Sequence, residues 1–134
     1  IESDLVLVDD PLPWMLEDPR AIRTPFFTDG MWLKVLDVPG LFGARTYATD
    51  HAVVVEAGEL GRWAIGGAER CVEAAGDAPQ LSMSPVELGA ISLGGSSPTA
   101  LVAAGSIVEH EPGAAARLGA ALASDPLPYC TTHF

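Results

Sequence analysis

The chain has 134 residues, 49% of them apolar, with 18 acidic side chains against 7 basic for a formal net charge of −11. That length allows one packed domain with a real core, or one domain and a remnant of another. So acidic a surface repels phosphate backbones and anionic membranes, which argues against nucleic acid and membrane as partners, while a cationic small molecule is drawn to it.

Leu5–Val8 is a short apolar run and reads as a strand. The prolines of Asp9-Asp10-Pro11-Leu12-Pro13 forbid helix and sheet interior alike. Residues 9–29 therefore read as a linker, with one helical turn at Trp14–Glu17, that packs through Trp14 and Phe26-Phe27. After the Asp29-Gly30 turn signal, Met31–Val38 alternates as a strand, with Trp32, Lys34 and Leu36 on one face and Leu33, Val35 and Asp37 on the other. Pro39 then opens a helix running through Leu41, Phe42, Arg45 and Tyr47.

Three strand-like runs follow at hairpin spacing, His51–Ala57, Arg62–Gly67 and Glu69–Ala74, with Gln80–Met83 a short fourth. Ser84-Pro85-Val86-Glu87 is a helix-start signature, and Ser97-Pro98 repeats its cap and proline. Pro112–Ser124 reads as a helix with Leu118 and Leu122 on one face, stopped by Asp125-Pro126. Strands followed by short helices predict an α+β fold, a mainly antiparallel sheet with helices on one face.

Few residues invite chemistry. Ser96-Ser97 in Gly94-Gly95-Ser96-Ser97-Pro98 lacks the Gly-x-Ser-x-Gly and P-loop spacings, and Pro98 makes Ser97 a helix cap. His51, His110 and His133 are scattered, so no metal site is expected. Asp9-Asp10 and Glu109-His110-Glu111 are acidic enough for a cation but sit in predicted loops, where solvated turn roles are the ordinary ones. The tryptophans Trp14, Trp32 and Trp63 read as core anchors, with Trp32 and Trp63 the natural lining of any apolar cavity beneath the sheet. No glycine-rich cradle for a nucleotide pyrophosphate is recognisable. Cys71 and Cys130 read as reduced thiols of a cytoplasmic protein. No apolar run is long enough to span a membrane. The opening Ile1-Glu2-Ser3-Asp4 lacks an initiator Met and a signal pattern, and reads as an internal cut through a longer protein.

Several stretches together resemble the Eis (enhanced intracellular survival) acetyltransferases. They are Asp10-Pro11-Leu12-Pro13, Leu16, Asp18-Pro19-Arg20, Asp29-Gly30-Met31-Trp32-Leu33-Lys34, and Asp37-Val38-Pro39 with Ala44-Arg45-Thr46-Tyr47-Ala48. Leu88–Gly94, Ala120–Pro126 and the closing Phe134 fit the same pattern, so the match runs in family order from about Asp9 onward.

The resemblance implies two acetyltransferase-fold (GNAT-type) domains followed by a sterol-carrier-like one, assembled as a hexamer that acetylates aminoglycoside amines. On that reading residues 1–28 are the end of the second acetyltransferase domain plus a linker, and 29–134 are the carrier-like domain. Acetyl-CoA and the tyrosine general acid then belong to the first domain, so this chain alone is expected to be inactive. The chain's C-terminal carboxylate, on Phe134, is expected to reach the active site. His133 stands where the family often has an acidic residue on the substrate amines. A stand-alone lipid- or sterol-binding module is the alternative.

Overall fold

The computed structural model describes residues 10–23 and 32–130. The expectations for Leu5–Val8, Asp9, Phe26-Phe27, Asp29-Gly30 and Met31 lie outside the described residues. In the first described stretch, α1 (Leu12–Met15) and a 3-10 turn at Pro19–Ala21 pack on each other. Asp10 accepts from Leu12 N at 2.8 Å, and Asp18 caps the 3-10 turn by accepting from Arg20 N at 3.0 Å. The packing expected of Trp14 does not occur, since its side chain is 87% exposed.

The domain body begins with an extended segment, residues 32–37, that has no ladder partner among the described residues. The strand expected there is therefore not one, although its alternation holds: Val35 is buried, while Trp32 and Leu36 are exposed. The segment runs so close over residues 85–91 that a Cβ on Gly89 would stand 2.6 Å from the Leu33 carbonyl oxygen. Asp37 then caps α2 (Val38–Gly43), accepting from Gly40 N at 3.0 Å, with Pro39 one residue inside the helix. The helix stops at Gly43, earlier than its sequence suggests. The Arg45 and Tyr47 side chains turn instead toward carbonyls, Tyr47 Oη donating to Phe42 O at 2.7 Å.

Among the described residues five strands follow: β1 (Ala52–Glu56), β2 (Arg62–Gly66), β3 (Cys71–Glu73), β4 (Leu81–Ser82) and β5 (Val108–Glu109). They form one sheet in the order β3-β2-β1-β4-β5. Three of the pairings are antiparallel, but β4 lies parallel to β1, so the sheet is mixed. The reason is topological. The first three strands form a hairpin meander, and the chain from β3 must then cross to the free edge of β1, where it arrives in the same direction. The short β5 was not expected, because Glu109 read as part of a loop.

Between β4 and β5 lie α3 (Pro85–Ile91) and α4 (Pro98–Ala103), and α5 (Ala114–Leu122) follows β5. The Ser84-x-x-Glu87 signature forms a capping box, and Ser97 caps α4 by accepting from Ala100 N. α2 and α5 pack chiefly on β1–β3, α3 on the β1–β2 turn, and α4 on α5. Alternate strand residues Val53, Val55, Ile65 and Leu81 join Phe42, Leu88, Ile91, Leu118 and Leu122 in one buried cluster. The spacing of Leu118 and Leu122 thus predicted the buried face of α5, because i and i+4 stack on one side of a helix.

Candidate functional site

Two polar regions stand apart from this core. The first lies at one end of the sheet. Glu56 ends β1 and Arg62 begins β2 directly opposite it, so their side chains meet at 2.7 Å between Arg62 Nη2 and Glu56 Oε1. Ser82 of β4 donates to Glu56 Oε2 at 3.1 Å and contacts His110 Nε2 at 2.8 Å. Gln80 donates to Glu111 at 2.6 Å, and Arg117 of α5 pairs with the same carboxylate. The Arg62 and Ser82 hydrogen bonds hold the Glu56 carboxyl below the usual carboxylate range, and the Gln80 bond does the same for Glu111. Glu109 meanwhile accepts from Ala115 N at 2.8 Å, serving the first turn of α5. The Glu109-His110-Glu111 cluster is therefore occupied with strand and helix ends, and no metal-holding group of His, Cys, Asp and Glu occurs among the described residues.

The second region lies where the chain leaves α5. Helix ends carry unsatisfied carbonyls, and here residues 45–48 take three of them. Arg45 Nη2 donates to Leu122 O at 2.8 Å, its Nη1 donates to Ser92 O at the end of α3, and Ala48 N donates to Ala121 O at 3.2 Å. One guanidinium thus ties the C-terminal ends of two helices, where a cation also meets the negative end of the helix dipole. Gly94 crosses over this junction at φ +86°, and a Cβ there would collide with Leu122 O. Next to it, Gly95 lies under Pro128, whose Cγ would be 2.8 Å from an added Cβ. Gly94–Thr99, the end of α5, Ser124 and Leu127 line a groove of about 450 Å³. The Ser124 hydroxyl is buried there without a hydrogen-bond partner among the described residues.

The sequence-derived site residues His133 and Phe134 lie outside the described residues. The chain is described as far as Cys130. Arg45, Gly95 and Pro128 were not singled out as functional from sequence. Arg45 was legible only as part of Ala44-Arg45-Thr46-Tyr47, with nothing local to show that it meets residues far along the chain.

Other candidates resolve into local roles. Ser97 Oγ accepts from Ala100 N at 3.4 Å and contacts Thr99 Oγ1 at 2.7 Å, as a cap does. Gly94 N donates to Ile91 O at 2.9 Å and Leu101 N to Ser97 O at 3.1 Å. Burial pushes the Cys71 thiol up to about 11, with the Asp37 charge adding to it, which leaves a poor nucleophile. Burial likewise raises the Tyr47 hydroxyl to about 12.

Residues 38–131 match the family model described as the sterol carrier protein domain. The chain belongs to that family. Its relatives are larger proteins. An uncharacterized N-acetyltransferase of Streptomyces griseus is 36% identical over 142 residues, taking in 100% of this chain and 34% of that protein. The N-acetyltransferase Eis of Mycobacterium bovis is 35% identical over 122 residues, 87% of this chain and 30% of that one. The crystal structure of Eis1 from Mycobacterium abscessus superposes with a TM-score of 0.86 at 30% identity, over 95% of this chain and 34% of that chain. A GCN5-related N-acetyltransferase from Kribbella flavida, 19% identical with a TM-score of 0.62, shares the fold. The chain therefore spans about a third of the length of these relatives.

The two tryptophans expected in the core of the sheet differ in burial. Trp32 is 87% exposed, which overturns its assignment to the core. Trp63 is half-buried against the core, with its indole N–H donated to Leu60 O at 2.6 Å. Neither lines the groove at the α5 junction. Among the described residues, no helix is long and apolar enough to cross a membrane.

Proposed function

We propose that this chain is the C-terminal region of an acetyl-CoA-dependent amine N-acetyltransferase, in which the carboxylate of Phe134 serves the active site. The observation that carries the reading is the similarity over nearly the whole chain to a third of Eis1, in fold and in sequence together. On this reading residues 1–28 close the second acetyltransferase domain and link it to the carrier-like domain of 29–134. Acetyl-CoA binds in the first acetyltransferase domain of the whole protein. The substrate is a polycationic amine of the aminoglycoside type, which suits a net charge of −11. The carrier-like domain also supplies contacts for a cytoplasmic homo-oligomer, a hexamer by resemblance, and His133 offers the amine a hydrogen bond in place of an acidic charge.

A free α-carboxyl titrates near ~3.5 and an alkyl ammonium near ~10.4, so direct proton abstraction is uphill by roughly 9 kcal/mol. The carboxylate therefore acts best by holding the ammonium in line with the thioester, or by relaying its proton through water. Either role needs the charge at one place. Appending one Gly after Phe134 in the full-length protein is expected to slow amine acetylation at least ~100-fold. Acetyl-CoA binding and thermal stability should be unchanged, and Phe134→Leu should lose far less. Near-normal turnover of the extended protein would reduce Phe134 to a packing residue.

A further inference from the structure

We infer that the two stretches preceding α2, residues 10–23 and 32–36, dock on the acetyltransferase part of the same protein, with Trp14, Met15, Trp32 and Leu36 as the apolar contacts. The inference rests on the reading of this chain as the C-terminal region of an N-acetyltransferase.

Apolar surface is unevenly spread over the chain. Among the described residues, the four most exposed large apolar side chains are Trp14, Met15, Trp32 and Leu36, and all of them precede α2. No residue of α1 or of the 3-10 turn is buried. Their backbone hydrogen bonds, Trp14 N to Pro11 O and Ile22 N to Pro19 O, close within the stretch. Pro11, Pro13 and Pro19 fix φ along it, so little freedom is lost when it meets a partner. The two tryptophans alone bring roughly 300–500 Å², a large share of the ~600–1,500 Å² that joins two domains of one chain.

Free cations lie in the same stretches. In the body of the domain, Arg45, Arg62, Arg70 and Arg117 each hold a carbonyl or carboxylate oxygen. The side chains of Arg20, Arg23 and Lys34 hold none among the described residues. Tryptophan, methionine and arginine are residue types enriched at contact surfaces. The surface they fit is therefore apolar, with carboxylates around it.

Which relatives share these stretches identifies what covers them. The match to the sterol carrier protein domain begins at residue 38, so both stretches lie outside it. The N-acetyltransferase of Streptomyces griseus nevertheless matches 100% of this chain, and the match takes up only 34% of that protein. The stretches therefore go with acetyltransferase sequence and not with the carrier fold. A membrane is a poor alternative for a chain of net charge −11. A second copy has to arrive from another molecule, whereas an adjoining domain of one chain is present at an effective concentration in the mM range.

Hydroxyl-radical footprinting of the full-length protein tests the docking, because mass spectrometry reads tryptophan and methionine oxidation residue by residue. Each rate is divided by that of the free amino acid, and the buried Met83 sets the value of a covered side chain. An uncovered Trp14 or Trp32 reacts in proportion to its 87% exposure and a covered one like Met83 at 7%, so both are expected to be slowed about 12-fold. Met15 should fall to the same level. Uncovered rates at any of the three would overturn the docking. The partner is read by placing p-benzoylphenylalanine at position 14 or 32 in protein assembled from chains of light and heavy nitrogen. Photo-cross-links are expected within one chain, to its acetyltransferase part, and cross-links between light and heavy chains would overturn the choice of partner. Acetyl transfer to an amine, followed by release of CoA, is measured on the wild-type protein alongside. Where transfer persists, either failure leaves the acetyltransferase reading intact, whereas its absence would overturn that reading and the inference with it.

Discussion

Phe42 and Trp32 stand ten residues apart in the sequence and meet opposite fates. Phe42 is fully buried on α2, whereas Trp32, on the extended segment leading to that helix, is 87% exposed. Both are large apolar residues in a run of similar composition. The difference is that α2 is capped, docked on β2 and β3, and lays one face against the sheet. Among the described residues, the extended segment is held by Val35 and the close approach of Leu33 to Gly89. Burial follows from which side of an element meets the core, and size or aromaticity does not decide it.

The contrast can be broken most severely at Phe42. Phe42→Ala removes a ring from the centre of the cluster and is expected to cost roughly 3–5 kcal/mol, read as a shift in the urea midpoint. A loss under about 1 kcal/mol would mean that the site collapses around the missing ring.

An intermediate effect is expected at the end of the sheet, in acid. Hydrogen bonds from Arg62 and Ser82 depress the Glu56 carboxyl below its unfolded value. Its contribution is then complete above the ordinary carboxylate range and is lost as pH falls through the depressed folded value. Glu56→Gln should therefore flatten the fall of the unfolding temperature on acidification and leave its trend above neutral pH unaltered. An unchanged acid limb would show that the pair with Arg62 contributes nothing measurable, as exposed pairs often do.

The smallest effect belongs to Trp32. Trp32→Ala in the 134-residue chain should change stability by no more than about 0.5 kcal/mol, the usual range for exposed positions. A cost above about 1 kcal/mol, measured by the same urea titration, would place the ring against a surface.

Local signals carried much of the fold. The Ser84 and Ser97 caps, the hairpin spacing of β1–β3 and the Leu118–Leu122 pair were all readable, because each depends on residues within one or two turns of one another. The entry segment was half legible. Its alternation assigned Val35 and Leu36 to opposite sides, but a strand also needs a partner, and pairing is a property of residues distant in sequence. The parallel seating of β4 on β1, the extra strand β5 and the early end of α2 escaped for the same reason.

What the sequence determined by itself was the α+β class, the order of most elements, and the family, through motifs spread along the chain. Only the tertiary structure decided that Arg45 leaves its helix to clasp Ser92 and Leu122, and that Gly95 lies beneath Pro128. Both contacts join segments separated by more than thirty residues. The local sequence around a glycine or an arginine specifies what the residue can do, whereas the partner it meets is supplied by the packing of α3 and α5 onto the same core.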